Sequence, residues 1–305
     1  MRVATIVALT AFSAAAAAAE DCTLKRIAEV PFERDSNLLL TIPAEIEGHP
    51  ARLMIDTGGA WSLIDKDLAD ELKLKRRNVE SGMYDGAGKP LSDVVRVHGL
   101  AIGPVKLDVD FDFLVAFAKG GRDGKSWKGT VGVNIFNAMD IEIDNAGKKI
   151  SLFSPNHCRG AGVYWADEAV TLEMRRTEYA KMPIVDADLN GESMHVLFDT
   201  GSTMTSMSAK LAKRKFGITA TSPGAVPGGA HRVATGKLVE SFNYTFDKLE
   251  IAGVTFENVP VAIGAFDDGD TDVVLGMNEM RHLRLYFAFR DRLIHITAAD
   301  AKPSP

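Results

Sequence analysis

Only two of the 305 residues are cysteine, and only one stretch of the chain stays apolar for long. The first scarcity excludes a disulfide-dense miniature scaffold. The second excludes any spanning helix beyond that stretch, because a span needs about 20 apolar residues. Seven histidines are present, never in a His-Glu-x-x-His or other zinc spacing. No Gly-x-Ser-x-Gly elbow marks a serine nucleophile. Gly86-Ala87-Gly88-Lys89-Pro90 lacks the spacing and the hydroxyl of a phosphate loop. The acidic run at residues 267–272 has no ligating glutamate at the required place, so it reads as a solvated loop, not a calcium site. Positive charge is also short. Without Arg2, 34 basic residues face 41 acidic ones, a net −7 that argues against nucleic acid as a partner. The one basic run, Lys73 to Arg77, reads as a solvated helix end.

The long apolar stretch opens the chain. Arg2, an apolar run and a small-residue end over residues 1–19 form a secretory leader, with cleavage expected after Ala19. A membrane anchor fits less well, since no stop-transfer pattern follows. Glu20 and Asp21 stand before Cys22 where a lipid-anchor signal needs small residues. The mature chain is expected to be soluble, with no stable membrane insertion, and periplasmic or secreted. In an oxidising compartment Cys22 and Cys158 read as one disulfide.

The remainder repeats itself. Asp56 and Asp199 are 143 residues apart, and the offset recurs around them. Gly48 and Gly191 each stand eight residues before their Asp. Leu68 falls on Leu211 and Ala69 on Ala212. Leu100–Val105 matches Leu249–Val254, and Gly132 matches Gly276 at an offset of 144. The chain is therefore a duplicated unit of about 140 residues. Most of each copy reads as short strands with close turn signals, which points to barrels or sandwiches. Short helices are expected at 66–74 and 208–216. The boundaries follow: a lobe at 20–153, a linker at 154–168 rich in Pro, Gly and Cys, and a second lobe at 169–305.

Each copy carries Asp-Thr-Gly at the end of an apolar strand, at Asp56-Thr57-Gly58 and Asp199-Thr200-Gly201. About 76 residues later come apolar residues and a glycine, Val131-Gly132 and Val274-Leu275-Gly276. This pairing resembles the aspartic peptidases, each half similar to a retropepsin and the two fused as in bilobed pepsins. The resemblance implies an all-β, bilobed acid-protease fold with two retropepsin-like β-barrel lobes. It implies that Thr57 and Thr200 lock the two loops together, so that Asp56 and Asp199 share a proton and activate a water. Gly58 and Gly201 are expected to allow a tight turn at positive φ. Lobe 1 continues with Gly59 where lobe 2 keeps Ser202, removing one hydroxyl that would stabilise a carboxylate. Trp61 reads as a core residue more readily than as a cleft wall.

The resemblance also implies a flap at residues 81–90, with Tyr84 as contact residue and Gly86 and Gly88 letting it bend; a plain surface loop is the alternative. The matching stretch of lobe 2, residues 223–237, lacks an aromatic, so the flaps are expected to be unequal. No metal or cofactor is implied. No pepsin-like prosegment is visible before the first strand, which argues against an autoinhibited zymogen. The sequence thus reads as an exported aspartic endopeptidase acting on an extended polypeptide, active as a monomer. The rival is a peptide-binding protein that kept the fold and lost catalysis. A third arrangement pairs each lobe with one from another chain.

Overall fold

A computed structural model describes residues 22–84, 90–116, 126–177, 181–232, 238–264 and 271–302, without the side chains of residues 84, 230–232, 238 and 239. The fold is all-β and bilobed, as the repeat requires. Each repeat begins with a hairpin of apolar strands closed by a Gly turn: Leu40–Ile46 with His49–Ile55, and Ile184–Leu189 with Glu192–Phe198. Gly48 and Gly191 take φ of +77° and +87° at those turns, a region open to glycine. The helices Lys66–Glu71 and Ala209–Phe216 follow at equivalent places. The basic run after the first helix is not a solvated helix end. Arg76 and Arg77 begin the strand Arg76–Tyr84 and pair with Asp70 and Asp93, and with Asp112.

The two lobes share one sheet. Its strand order is Arg26–Pro31, Lys149–Phe153, Asp140–Asp144, Leu283–Ala288, Leu293–Ala298, Val170–Glu173, three strands from each repeat in mirrored sequence. At its centre Glu142 pairs with Tyr286, residues equivalent at the offset of 144. The pseudo-two-fold axis therefore passes through that pair. Alternation along these strands sends Ile141, Ile143, Leu285 and Phe287 into the main core, all completely buried. The opposite face carries Asp140, Glu142, Arg284 and Tyr286. Residues 154–169 hold no strand and lie over that polar face, with Trp165 packed against Phe153 and Tyr286. Cys22 and Cys158 are disulfide-bonded.

Candidate active site

Asp56 follows the strand His49–Ile55, which runs parallel to Gly129–Val131; its amide donates to the Val131 carbonyl at 3.0 Å. Asp199 repeats this after Glu192–Phe198, beside Val273–Leu275, its amide donating to Leu275 at 3.1 Å. Each loop is pinned from behind by the helix that follows Gly132 or Gly276. The Val133 amide donates to the Gly59 carbonyl and the Met277 amide to the Ser202 carbonyl, both at 2.8 Å. Those glycines are needed for space. A Cβ on Gly132 would come 2.7 Å from the Trp61 carbonyl oxygen, and one on Gly276 2.6 Å from that of Met204.

The loops meet through their threonines. The Thr57 hydroxyl donates to the Phe198 carbonyl (2.7 Å) and accepts from the Thr200 amide (3.0 Å). The Thr200 hydroxyl donates to the Ile55 carbonyl (2.8 Å) and accepts from the Thr57 amide (3.0 Å). Both threonines are completely buried, so all four bonds are shielded from water. The interlock carries each Asp-Thr-Gly across the axis. A Cβ on Gly58 would run into the Asp199 carboxyl, and one on Gly201 would lie 2.6 Å from Asp56 Oδ1. Neither glycine has positive φ. The expectation of a left-handed turn is thus corrected: glycine is required here because the opposite carboxyl occupies the place of a side chain.

Asp56 and Asp199 lie within hydrogen-bonding reach of each other. They keep part of their surface open, yet sit deep enough that burial is the largest influence on their acidity. Burial pushes Asp56 well above the usual carboxylate range, and the charge of Asp199 adds to it; the Gly59 and Gly58 amides oppose this. Burial raises Asp199 as well, but the Gly201 amide at 2.8 Å, the Asp56 carboxyl and the Gly58 and Ser202 amides pull it back. The Ser202 hydroxyl itself donates to the Met204 carbonyl at 2.9 Å. Its expected support of the carboxylate comes from its amide.

Residues 42–134 match the family profile of the aspartyl protease, and residues 185–282 that of the gag-polyprotein aspartyl protease, together more than half of the chain. The chain belongs to the retropepsin-like aspartyl protease family. Its two matches stand in tandem, one on each repeat, and each spans one Asp-Thr-Gly. None of the curated proteins matches the chain. Each lobe has a hairpin where the sequence places a flap: Arg76–Tyr84 with Pro90–Val97, and Val226–Arg232 with Leu238–Ile251. Tyr84 pairs with Pro90 at the end of the first hairpin. Its side chain, Gly86, Gly88 and the second tip at 233–237 lie outside the described residues, as do residues 267–270 of the acidic run. Among the described residues no group of three or more His, Cys, Asp or Glu side chains could hold a metal ion.

Trp61 was expected in the core and is not there. It is half-buried and joins neither buried cluster, and its repeat equivalent Met204 behaves the same way. Sequence reasoning passed over Met204, although the offset of 143 that maps Asp56 onto Asp199 also maps Trp61 onto it.

Proposed function

We propose that the chain is an exported aspartic endopeptidase in which Asp56 and Asp199 hydrolyse peptide bonds of an extended polypeptide. The observation that carries this reading is the pair of half-buried carboxyls within hydrogen-bonding reach, held together by the reciprocal Thr57–Thr200 bonds. Two carboxyls in such contact hold one proton between them at working pH. Asp199, better supplied with amide donors, is the carboxylate that takes a proton from the attacking water. Asp56 donates its own to the scissile carbonyl oxygen; the tetrahedral diol then collapses as Asp199 passes its acquired proton to the departing amine and Asp56 takes one back from the diol. Both halves of the site lie in one chain, which supports action as a monomer. The substrate would lie between the two flap hairpins as an added strand, held by backbone hydrogen bonds.

Protein expressed with its own leader, and its Asp199→Ala variant, are purified in parallel and incubated with a complex peptide library from about pH 3 to 8, a window spanning carboxylate titration. New termini and the mature N-terminus are read by mass spectrometry. Cuts made by the parent alone support the peptidase, and an N-terminus at Glu20 supports export. Equal cutting by both, or by neither at any pH, rejects it. A mass in solution tests the monomer.

A further inference from the structure

The polar face of the shared sheet is stitched by two buried carboxylates, and each reaches three parts of the molecule. Asp140 Oδ2, on the N-lobe strand, accepts from Tyr286 of the C-lobe at 3.0 Å and lies 2.5 Å from His157 Nε2 of the connecting segment. Glu142 accepts from Arg284 Nε of the C-lobe at 2.7 Å and from Tyr164 of the segment at 2.5 Å. The His157 and Asp140 side chains are 2 % and 1 % exposed, so water does not screen their attraction. The rest of the segment is fastened too. Trp165 Nε1 donates to Thr297 Oγ1 at 3.0 Å, and a Cβ on Gly162 would come 2.7 Å from the His295 ring and 2.8 Å from that of Tyr286. Cys158, next to His157, ties in the N-terminal strand through Cys22.

Among the groups in these bonds, the imidazole is the one whose ordinary titration lies near neutral pH. We propose that residues 154–169 form a pH-gated clasp: protonated His157 binds Asp140 and locks the two lobes across their shared sheet, and loss of that proton loosens the seam.

The groups facing His157 are consistent with this. Burial opposes its charge, but the Cys158 carbonyl at 2.9 Å, Asp140, and Asp291 in the turn after Ala288 outweigh it and hold its pKa above the ordinary value. Burial and the charge of His157 keep His295 below the ordinary value, with Asp291 opposing; its Nδ1 is bonded to Thr171. Burial raises Asp140, against the bonds from His157 and Tyr286. A histidine raised in the folded state contributes stability that is complete below its unfolded value of about 6.5 and lost as pH rises through the folded value. His295, shifted the other way, limits the clasp on the acid side.

The test uses the disulfide-bonded protein and a readout that needs no proteolysis. Hydrogen exchange of the amides in 140–144 and 283–288 is followed from pH 6 to 9, corrected for intrinsic exchange, beside NMR titration of the His157 ring. The ring should titrate above about 6.5, and seam protection should fall by roughly tenfold per unit that the pKa is raised. His157→Gln, which keeps a donor and carries no titrating charge, should lose the step in protection that the parent shows at the ring's own folded pKa. A ring titrating at or below the ordinary value, or a step that persists in His157→Gln, overturns the clasp. Should that variant not fold, Asp140→Asn decides: a ring pKa that drops supports the pairing, and one that stays rejects it.

Discussion

Thr57 and Thr200 hold the site together, because their hydroxyls each serve two backbone groups of the opposite lobe. Thr57→Val keeps the shape but leaves the Phe198 carbonyl and the Thr200 amide unpaired in the core. At about 1–3 kcal/mol for each buried unsatisfied group, denaturant unfolding should show a loss of about 2–6 kcal/mol. Thr57→Ser, which keeps both bonds, should lose much less. The dyad itself is destabilising at neutral pH. A carboxyl raised in the folded state leaves the native protein binding more protons than the unfolded chain, so stability falls as pH rises from about 4 through the folded value. Asp56→Asn should therefore abolish cleavage, raise Tm at pH 7, and leave it nearly unchanged at pH 3. Most of this was legible in the residues, since Asp-Thr-Gly twice at a fixed offset has few other uses. The reason for Gly58 and Gly201 was not. The atom that excludes a side chain at each belongs to the other lobe.

At the scale of elements, the two equivalent helices show how local signals and tertiary setting divide the work. Ala209–Phe216 is capped at both ends: the Ser208 hydroxyl accepts from the Leu211 amide at 3.1 Å, and Gly217 takes φ +69° at the C-terminal stop. Ser208→Ala should cost about 1 kcal/mol, and Gly217→Ala a similar amount through backbone strain alone. Thermal unfolding of both variants checks this. Its partner Lys66–Glu71 has no side-chain cap and ends sooner than the apolar spacing suggested. The strand Asp140–Asp144 deceives differently. Its alternating Asp, Ile, Glu, Ile, Asp reads as half-solvated, yet every residue is buried. The acidic face is covered by a segment that has no regular structure and hence no periodic signal in sequence.

For the whole molecule, the shared sheet and the crosslink beside it decide whether two lobes act as one. The disulfide spans 136 residues, and the chain-entropy model gives such a loop about 4–5 kcal/mol of stabilisation. Replacing both Cys22 and Cys158 by serine should lower unfolding free energy by up to that amount, measured by denaturant titration. At the centre of the seam Phe287→Ala opens a cavity in the main core and should cost about 3–5 kcal/mol. The same variants should depress activity in proportion to the unfolded fraction, whereas Asp199→Asn depresses it with no loss of fold.

The duplication, the strand-rich composition and the two Asp-Thr-Gly segments were determined by sequence alone, because each depends on residues close together in the chain or on a constant offset between copies. Tertiary structure alone decided which copy faces which, why Gly58 and Gly201 must be glycine, and what covers Asp140 and Glu142. Each of these is settled by contacts between residues more than 100 positions apart or by a segment without periodicity. Such contacts leave no local pattern to read. They exist only once the apolar strands of both lobes have closed on one another.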